Sequence, residues 1–423
     1  MAPRSSTPAG RPLRAVAAGS GKHLFDHVND PRVMFTPVGS AFEGEADLIV
    51  VPCGSSYKVA IAEKELPESV WQAAREGRAI VVLDASTEGS RHDEERTADL
   101  HGFLAHKGVA ADQAVYLTQD RDYRRQYLAF CARSAIGPTM AVVLNDYFIW
   151  KVSAQLQAAG EAMFAERLQR FRARAASRSR RFVSLNFTPR PHKVLFLMSL
   201  MRDELWGQGH ISFGGFDKLK KTRESGLAKY RRHLYAPPFE DLAAELDPWL
   251  EPLDAYGLVM LGAPRRVHSD ALVKDDELPE FDDSWFSIVT ETEMLPSATR
   301  ITEKPLKPLS NFHPLVSFGN FGALRMIREL GFSTFGEVIN EAYDEEPDPR
   351  RRFELVYSEV RRLCALDEGE LARLAGAVAD KLEHNARHAL VDMPNVQLRR
   401  HGAELIDRIL DAACQEAREA RTG

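Results

Sequence analysis

The chain is poor in several features that usually identify a protein quickly. Only four cysteines, Cys53, Cys131, Cys364 and Cys414, occur in 423 residues, far apart and in no CxxC or Cys/His spacing. That pattern excludes a disulfide framework and any zinc site readable from spacing, and it points to reduced thiols in a cytoplasmic protein. No apolar run approaches the roughly 20 residues of a membrane helix, and the opening MAPRSSTPAGRPLRAVAAGSG holds no apolar segment of signal-peptide length. Neither sign of charge dominates. Against 55 Lys+Arg stand 61 Asp+Glu, a net charge of −6, so the wholesale basic footprint of a nucleic-acid-binding domain is missing. P-loop, GxGxxG, GxSxG and HExxH patterns do not occur, nor do solenoid-type repeats.

What remains is an ordinary globular composition, 44% hydrophobic and 27% charged, in a chain long enough for two domains of about 150–200 residues. The first half carries four short, unalternating apolar runs, at 48–51, 79–83, 113–117 and 141–144. Each ends in a polar loop, and helical spacing separates most of them, which predicts buried strands of a parallel sheet. Residues 152–181 predict one long helix that turns strongly basic (ERLQRFRARAASRSRRF), either a solvated linker or a patch for an anionic partner. Four further strands are expected at 182–185, 211–215, 286–289 and 315–318, and helices after Ser333. Stripes such as Phe353, Val356, Val360 and Leu363 predict core packing in those helices. The expected fold class is α/β, two Rossmann-like domains with a helical C-terminal extension. The expected boundaries are a disordered start over 1–20, a first domain over 21–150, the basic linking helix over 151–181, a second domain over 182–345 and a helical region over 346–423.

Two loops of the second domain concentrate the chemistry. After the 182–185 strand comes Asn186-Phe187-Thr188-Pro189-Arg190-Pro191-His192-Lys193, opening a helix. A strand that ends where a helix begins offers amides to an anion. After the 286–289 strand come Glu291 and Glu293, then Thr302-Glu303-Lys304, then Pro314-Leu315-Val316 and Gly319. Thr302-Glu303-Lys304 is expected to start a helix, where a lysine presents a point charge to phosphate, and a carboxylate suits the diol of a ribose or sugar. In this order of acidic loop, Thr-Glu-Lys and Pro-Leu-Val-x-x-Gly, the segment resembles the donor-binding part of the α1,3-fucosyltransferases, glycosyltransferase family ten. Ser184-Leu185-Asn186 with Arg190 resembles that family's serine–asparagine stretch and following arginine. Glu291-Thr292-Glu293 stands where the family carries Glu-Asn-Ser. The segment around 332–344 is similar to a stretch of bacterial and viral glycosyltransferase-like proteins.

The resemblance implies a GT-B-type enzyme. Its second domain would hold a nucleotide-diphosphate sugar (GDP-linked in the family), with no cofactor and no essential metal. On that reading Arg190 and Lys304 contact the diphosphate, with His192 and Lys193 beside them, while Asn186, Glu291, Thr302 and Glu303 complete the donor site. An inverting transfer needs a carboxylate base for the acceptor hydroxyl, and Asp84 and Glu88, behind the second strand, are the candidates, with Asp146 third. The adjacent pairs Asp275-Asp276 and Asp282-Asp283 fit a solvated acidic loop better than a metal site. Two other functions stay open at this level: transfer to modified DNA or another nucleic acid, suggested by the 167–181 basic run, and a non-catalytic sugar- or protein-binding module.

Overall fold

The computed structural model describes residues 11–28, 30–37, 45–54, 56–87, 91–174, 178–216, 223–257, 259, 261, 278–295 and 298–422. Two compact units emerge, one of residues 1–154, 297–300 and 394–423, the other of 155–296 and 301–393.

The first unit is built on six parallel strands: β1 (Leu13–Ala17), β2 (Val33–Pro37), β3 (Leu48–Pro52), β4 (Ile80–Asp84), β5 (Ala114–Thr118) and β6 (Ala141–Leu144), in the order β2-β1-β3-β4-β5-β6. β3 and β5 are buried along their whole length, which is why their sequences are apolar on both faces rather than alternating. One face is covered by a core that includes Trp71, Leu100, Leu104 and Tyr127. On the other, Leu405, Ile406 and Ile409 of helix Leu398–Thr422 pack with Val50, Val82, Val115, Leu117 and Val143.

Two expectations are corrected here. The start is not disordered through residue 20, since β1 lies between β2 and β3 with Ala15 and Val16 fully buried; residues 1–10 lie outside the described residues. The last helix is not part of a separate C-terminal region, because its apolar stripe completes the first unit's core.

The second unit has four parallel strands, β7 (Arg180–Asn186), β8 (Gly209–Phe213), β9 (Ser284–Thr290) and β10 (Leu315–Phe318), ordered β10-β9-β7-β8. All four expected strands are present. The connections leave β7 in one direction and β9 in the other, so the strand order reverses between them. The carboxyl ends of β7 and β9 therefore border the crevice where open α/β sheets hold ligands.

The expected 152–181 helix is two helices, Tyr147–Leu156 and Gly160–Ala173. The second begins where a Cβ on Gly160 would sit 1.8 Å from the Leu390 carbonyl oxygen, so only glycine permits that approach. The basic run is engaged inside the unit. Arg167 donates to the Ser310 hydroxyl (2.8 Å), Arg170 and Arg174 pair with Asp282, and Arg178 donates to the Ser284 carbonyl (2.5 Å) while stacking on Trp285. Phe353, Val356, Val360 and Leu363 of helix Pro349–Ala365 are all buried, and of the next expected stripe Leu371, Val378 and Leu382 are buried and Leu374 half-buried. The stripe that a binding module would leave exposed is core.

Candidate functional site

Helix Pro191–Arg202 follows β7 directly. Pro191 suits the first helical position, where its missing N–H leaves no bond unmade, and extended Arg190 stands just before it. The body of the helix, Val-Leu-Phe-Leu-Met-Ser-Leu, is apolar all round, and every residue from His192 to Leu200 is buried. Such a helix belongs in the middle of a layer, and its first turn, exposed Arg190 with buried His192 and Lys193, opens at the crevice between β7 and β9.

Around that turn the predicted residues come together, and the hydrogen bonds sort them into two groups. Asn186, Glu291 and Thr302, each about 97–99% buried, are occupied within the protein. The Asn186 amide donates to the Ser184 hydroxyl (2.9 Å) and accepts from the Thr290 hydroxyl, so it ties β7 to β9. The Glu291 carboxylate accepts the Thr302 hydroxyl and the backbone N–H groups of Thr292 (3.2 Å) and Thr302 (3.4 Å). It anchors the 302–304 loop to the end of β9. His192 donates from Nε2 to the Glu291 carbonyl (2.9 Å), and burial, with Lys193 next, holds its pKa down to about 3. The ring is neutral at physiological pH and serves to position the loop.

The second group faces outward. Lys304 Nζ donates to the Thr292 hydroxyl (2.9 Å) and the Thr302 hydroxyl (3.1 Å), with Glu303 at 3.6 Å. Glu303 and Lys304 are half-buried, and Arg190 is exposed. The expectation that Thr302-Glu303-Lys304 starts a helix is corrected. Pro305 follows Lys304 and disfavours helical backbone before it, so the three residues form a loop ahead of the five-residue helix Leu306–Ser310. The anion-attracting helix terminus here is that of Pro191–Arg202.

Lys193, expected only beside the main contacts, is more deeply placed than the sequence implied, and two further contributors, Tyr230 and Arg352, were not singled out from sequence. Lys193 is only 3% exposed and makes no hydrogen bond or close ion pair among the described residues. Burial first, and then Lys304, lower its pKa to about 7, against the opposing pull of Glu291. Tyr230, on helix Arg223–Leu234, is buried against Phe216 with its hydroxyl lacking a partner among the described residues, and Arg190 is its charged neighbour. Arg352, 1% exposed, donates to the carbonyls of Gly319 (3.0 Å), Glu346 (2.6 Å) and Met294, and so holds the loops after β9 and β10. Gly319 fits there because a Cβ would press on Glu291 Cγ at 3.3 Å and Ala323 Cβ at 3.1 Å.

Of the carboxylates proposed in the first unit, Glu88 lies outside the described residues. Asp84 closes β4, wholly buried, accepting the Ser86 N–H (2.9 Å) and hydroxyl (2.6 Å), and Asn145 in turn donates to the Ser86 hydroxyl (3.1 Å). That is a side-chain-capped turn linking the ends of β4 and β6. Asp146 is held bidentately by Arg121 at 2.9 and 3.0 Å. Among the described residues, no three or more His, Cys, Asp or Glu side chains group to hold a metal ion, and no helix is long and apolar enough to cross a membrane.

No protein-family model matches the chain, and no curated protein does. Among solved structures, an α,α-trehalose 6-phosphate synthase from Burkholderia multivorans aligns with 84% of this chain and 71% of its own, at 14% identity and a TM-score of 0.36. A UDP-forming α,α-trehalose-phosphate synthase from Burkholderia xenovorans aligns with 92% and 100%, at 10% identity and 0.41. The N-terminal domain of Candida albicans trehalose-6-phosphate phosphatase aligns with 96% and 98%, at 10% identity and 0.47. Likenesses of this grade carry no functional argument, and the similarity to family ten rests on its motif residues alone.

Proposed function

We propose that the chain is a glycosyltransferase of the GT-B type that moves a sugar from a nucleotide-diphosphate donor to an acceptor hydroxyl. The observation that carries this reading is the cluster of Arg190, Lys193 and Lys304 at the amino end of a buried helix, beside the switch point of a parallel sheet. In the inverting, metal-independent form of the reaction, the acceptor oxygen bonds to the anomeric carbon as the bond from that carbon to the diphosphate breaks. The acceptor's proton passes to a carboxylate. Glu88 is the one to test, because Asp84 is wholly buried and both Ser86 groups bond to its Oδ1. The negative charge left on the diphosphate falls to Arg190, Lys304 and the helix amides, which are fixed before the reaction begins. Glu303 is the carboxylate available for donor hydroxyls, whereas Glu291 and Thr302 shape the loop.

A thermal-shift panel of UDP, GDP and ADP with their sugar conjugates tests this on wild type, Arg190→Ala and Lys304→Ala. A ligand at a hundred times its dissociation constant stabilises by about 2.7 kcal/mol. One nucleotide family shifting wild type, with the shift lost in both variants, supports the reading. No shift of wild type by any nucleotide refutes it.

A further inference from the structure

Among the described residues, the buried lysine beside the site has no hydrogen-bonding or ion-pair partner. Lys193 is the third residue of a twelve-residue helix whose other buried positions up to Leu200 are apolar, apart from His192 and Ser199. It is 97% covered and makes no hydrogen bond among the described residues. An ammonium in that condition is costly, and such a group gives up its proton unless a partner arrives. Among the described residues, the charged and titratable groups that face it come from three segments. Arg190 and His192 flank it on its own segment, Glu291 faces it from the end of β9, and Glu303 and Lys304 face it from the loop beyond. Of the two carboxylates, Glu291 is saturated by Thr302 and two backbone N–H groups, and Glu303 lies 3.6 Å from Lys304. The cations outnumber the anions left to them. No described carboxylate supplies the missing counter-charge, and the helix amides beside Lys193 favour an anionic ligand.

We infer that Lys193 is the principal grip on the diphosphate of this site, and that it takes up a proton from solvent as the ligand binds. This rests on the donor-site reading above and reverses one emphasis in it. Lys304, already hydrogen-bonded to two hydroxyls, arranges the loop, while Lys193 supplies the charge the ligand completes. Binding and protonation are then coupled. Below pH 7 the lysine is charged with or without ligand. Above pH 7 the empty site is neutral there, and each further pH unit weakens binding up to about tenfold until the lysine of the complex itself titrates. Raised pH favours release of the diphosphate product.

Calorimetry of UDP and GDP binding at pH 8.0, in buffers of different ionisation enthalpy, tests the inference. A terminal phosphate with a second pKa of about 6 is fully ionised at that pH, so proton uptake reports the protein. Uptake of more than about half a proton per ligand is expected in wild type. Lys193→Met should bind at least tenfold more weakly, with no uptake, and still melt at or above the wild-type temperature. Tight binding to wild type without proton uptake, or uptake that persists in Lys193→Met, overturns the role of Lys193 and leaves the nucleotide site standing. Absence of UDP, GDP and ADP binding to wild type removes both proposals together.

Discussion

Single side chains decide what the crevice of the second unit can do, and their direction matters more than their identity. Asn186 has the right chemistry to hold a ligand, yet both halves of its amide are bonded to Ser184 and Thr290. Asn186→Ala should therefore cost about 1–3 kcal/mol in urea unfolding, by stranding buried partners, and a variant that lost ligand affinity at full stability would refute that assignment. Lys193 behaves oppositely. Its folded pKa of about 7 lies below the ordinary lysine value, so the unfolded chain binds a proton that the folded one has released between those limits. The lysine's burial penalty is complete below pH 7 and fades as pH rises, by up to about 1.4 kcal/mol per pH unit. Melting temperatures of wild type and Lys193→Met should accordingly differ most at or below pH 7 and converge towards pH 9.5. A gap independent of pH would refute the assignment. None of this was visible in the letters. Arg190 and Lys304 could be picked out by position, but a sequence does not say that Asn186 and Glu291 turn inward. Nor could anything in Pro349-Arg350-Arg351-Arg352-Phe353 tell which arginine is buried.

At the scale of elements, legibility followed burial. The strands with apolar residues on both faces, β3, β4, β5 and β9, stood out as short β-branched or apolar runs that end in polar loops. The buried helix segment 194–200 shows that apolar content alone does not name a strand. β1 and β2 did not stand out. Leu13–Ala17 is short, rich in alanine, and sits in a Pro/Arg-rich stretch, while Val33–Pro37 is an edge strand ending in a proline. The helix Leu398–Thr422 is amphipathic, but periodicity names a face and never its partner. Its partner is the first sheet, and Ile409, fully buried among Val and Leu side chains of that sheet, measures the contact. Ile409→Ala should destabilise by about 2–5 kcal/mol in a denaturant titration followed by a probe in the first unit. A change under about 0.5 kcal/mol, the range of an ordinary surface substitution, would mean the helix does not belong there.

For the molecule as a whole, charge separates the remaining readings. The 167–181 run is the chain's most basic stretch, but Arg167, Arg170, Arg174 and Arg178 are taken up by Ser310, Asp282, Ser284 and Trp285. A net charge of −6 then gives duplex DNA little to hold. Fluorescence anisotropy with a duplex of about 20 base pairs should show no affinity tighter than the ~100 μM of weak non-specific binding at physiological salt. A steep fall of affinity with salt would restore the nucleic-acid reading.

The first unit is assembled from distant parts of the chain, and that has a consequence during synthesis. Its sixth strand ends at Leu144, but Leu405, Ile406 and Ile409, which cover one face of the sheet, are translated about 260 residues later. At roughly 5–20 residues per second, that face waits uncovered for between about a quarter of a minute and most of a minute on the ribosome. Val50, Val82, Val115 and Leu117 are open to any chaperone, or to any neighbouring nascent chain, throughout that interval. Translation speed between codons 145 and 397 is thus a determinant of how much of this protein reaches its folded state.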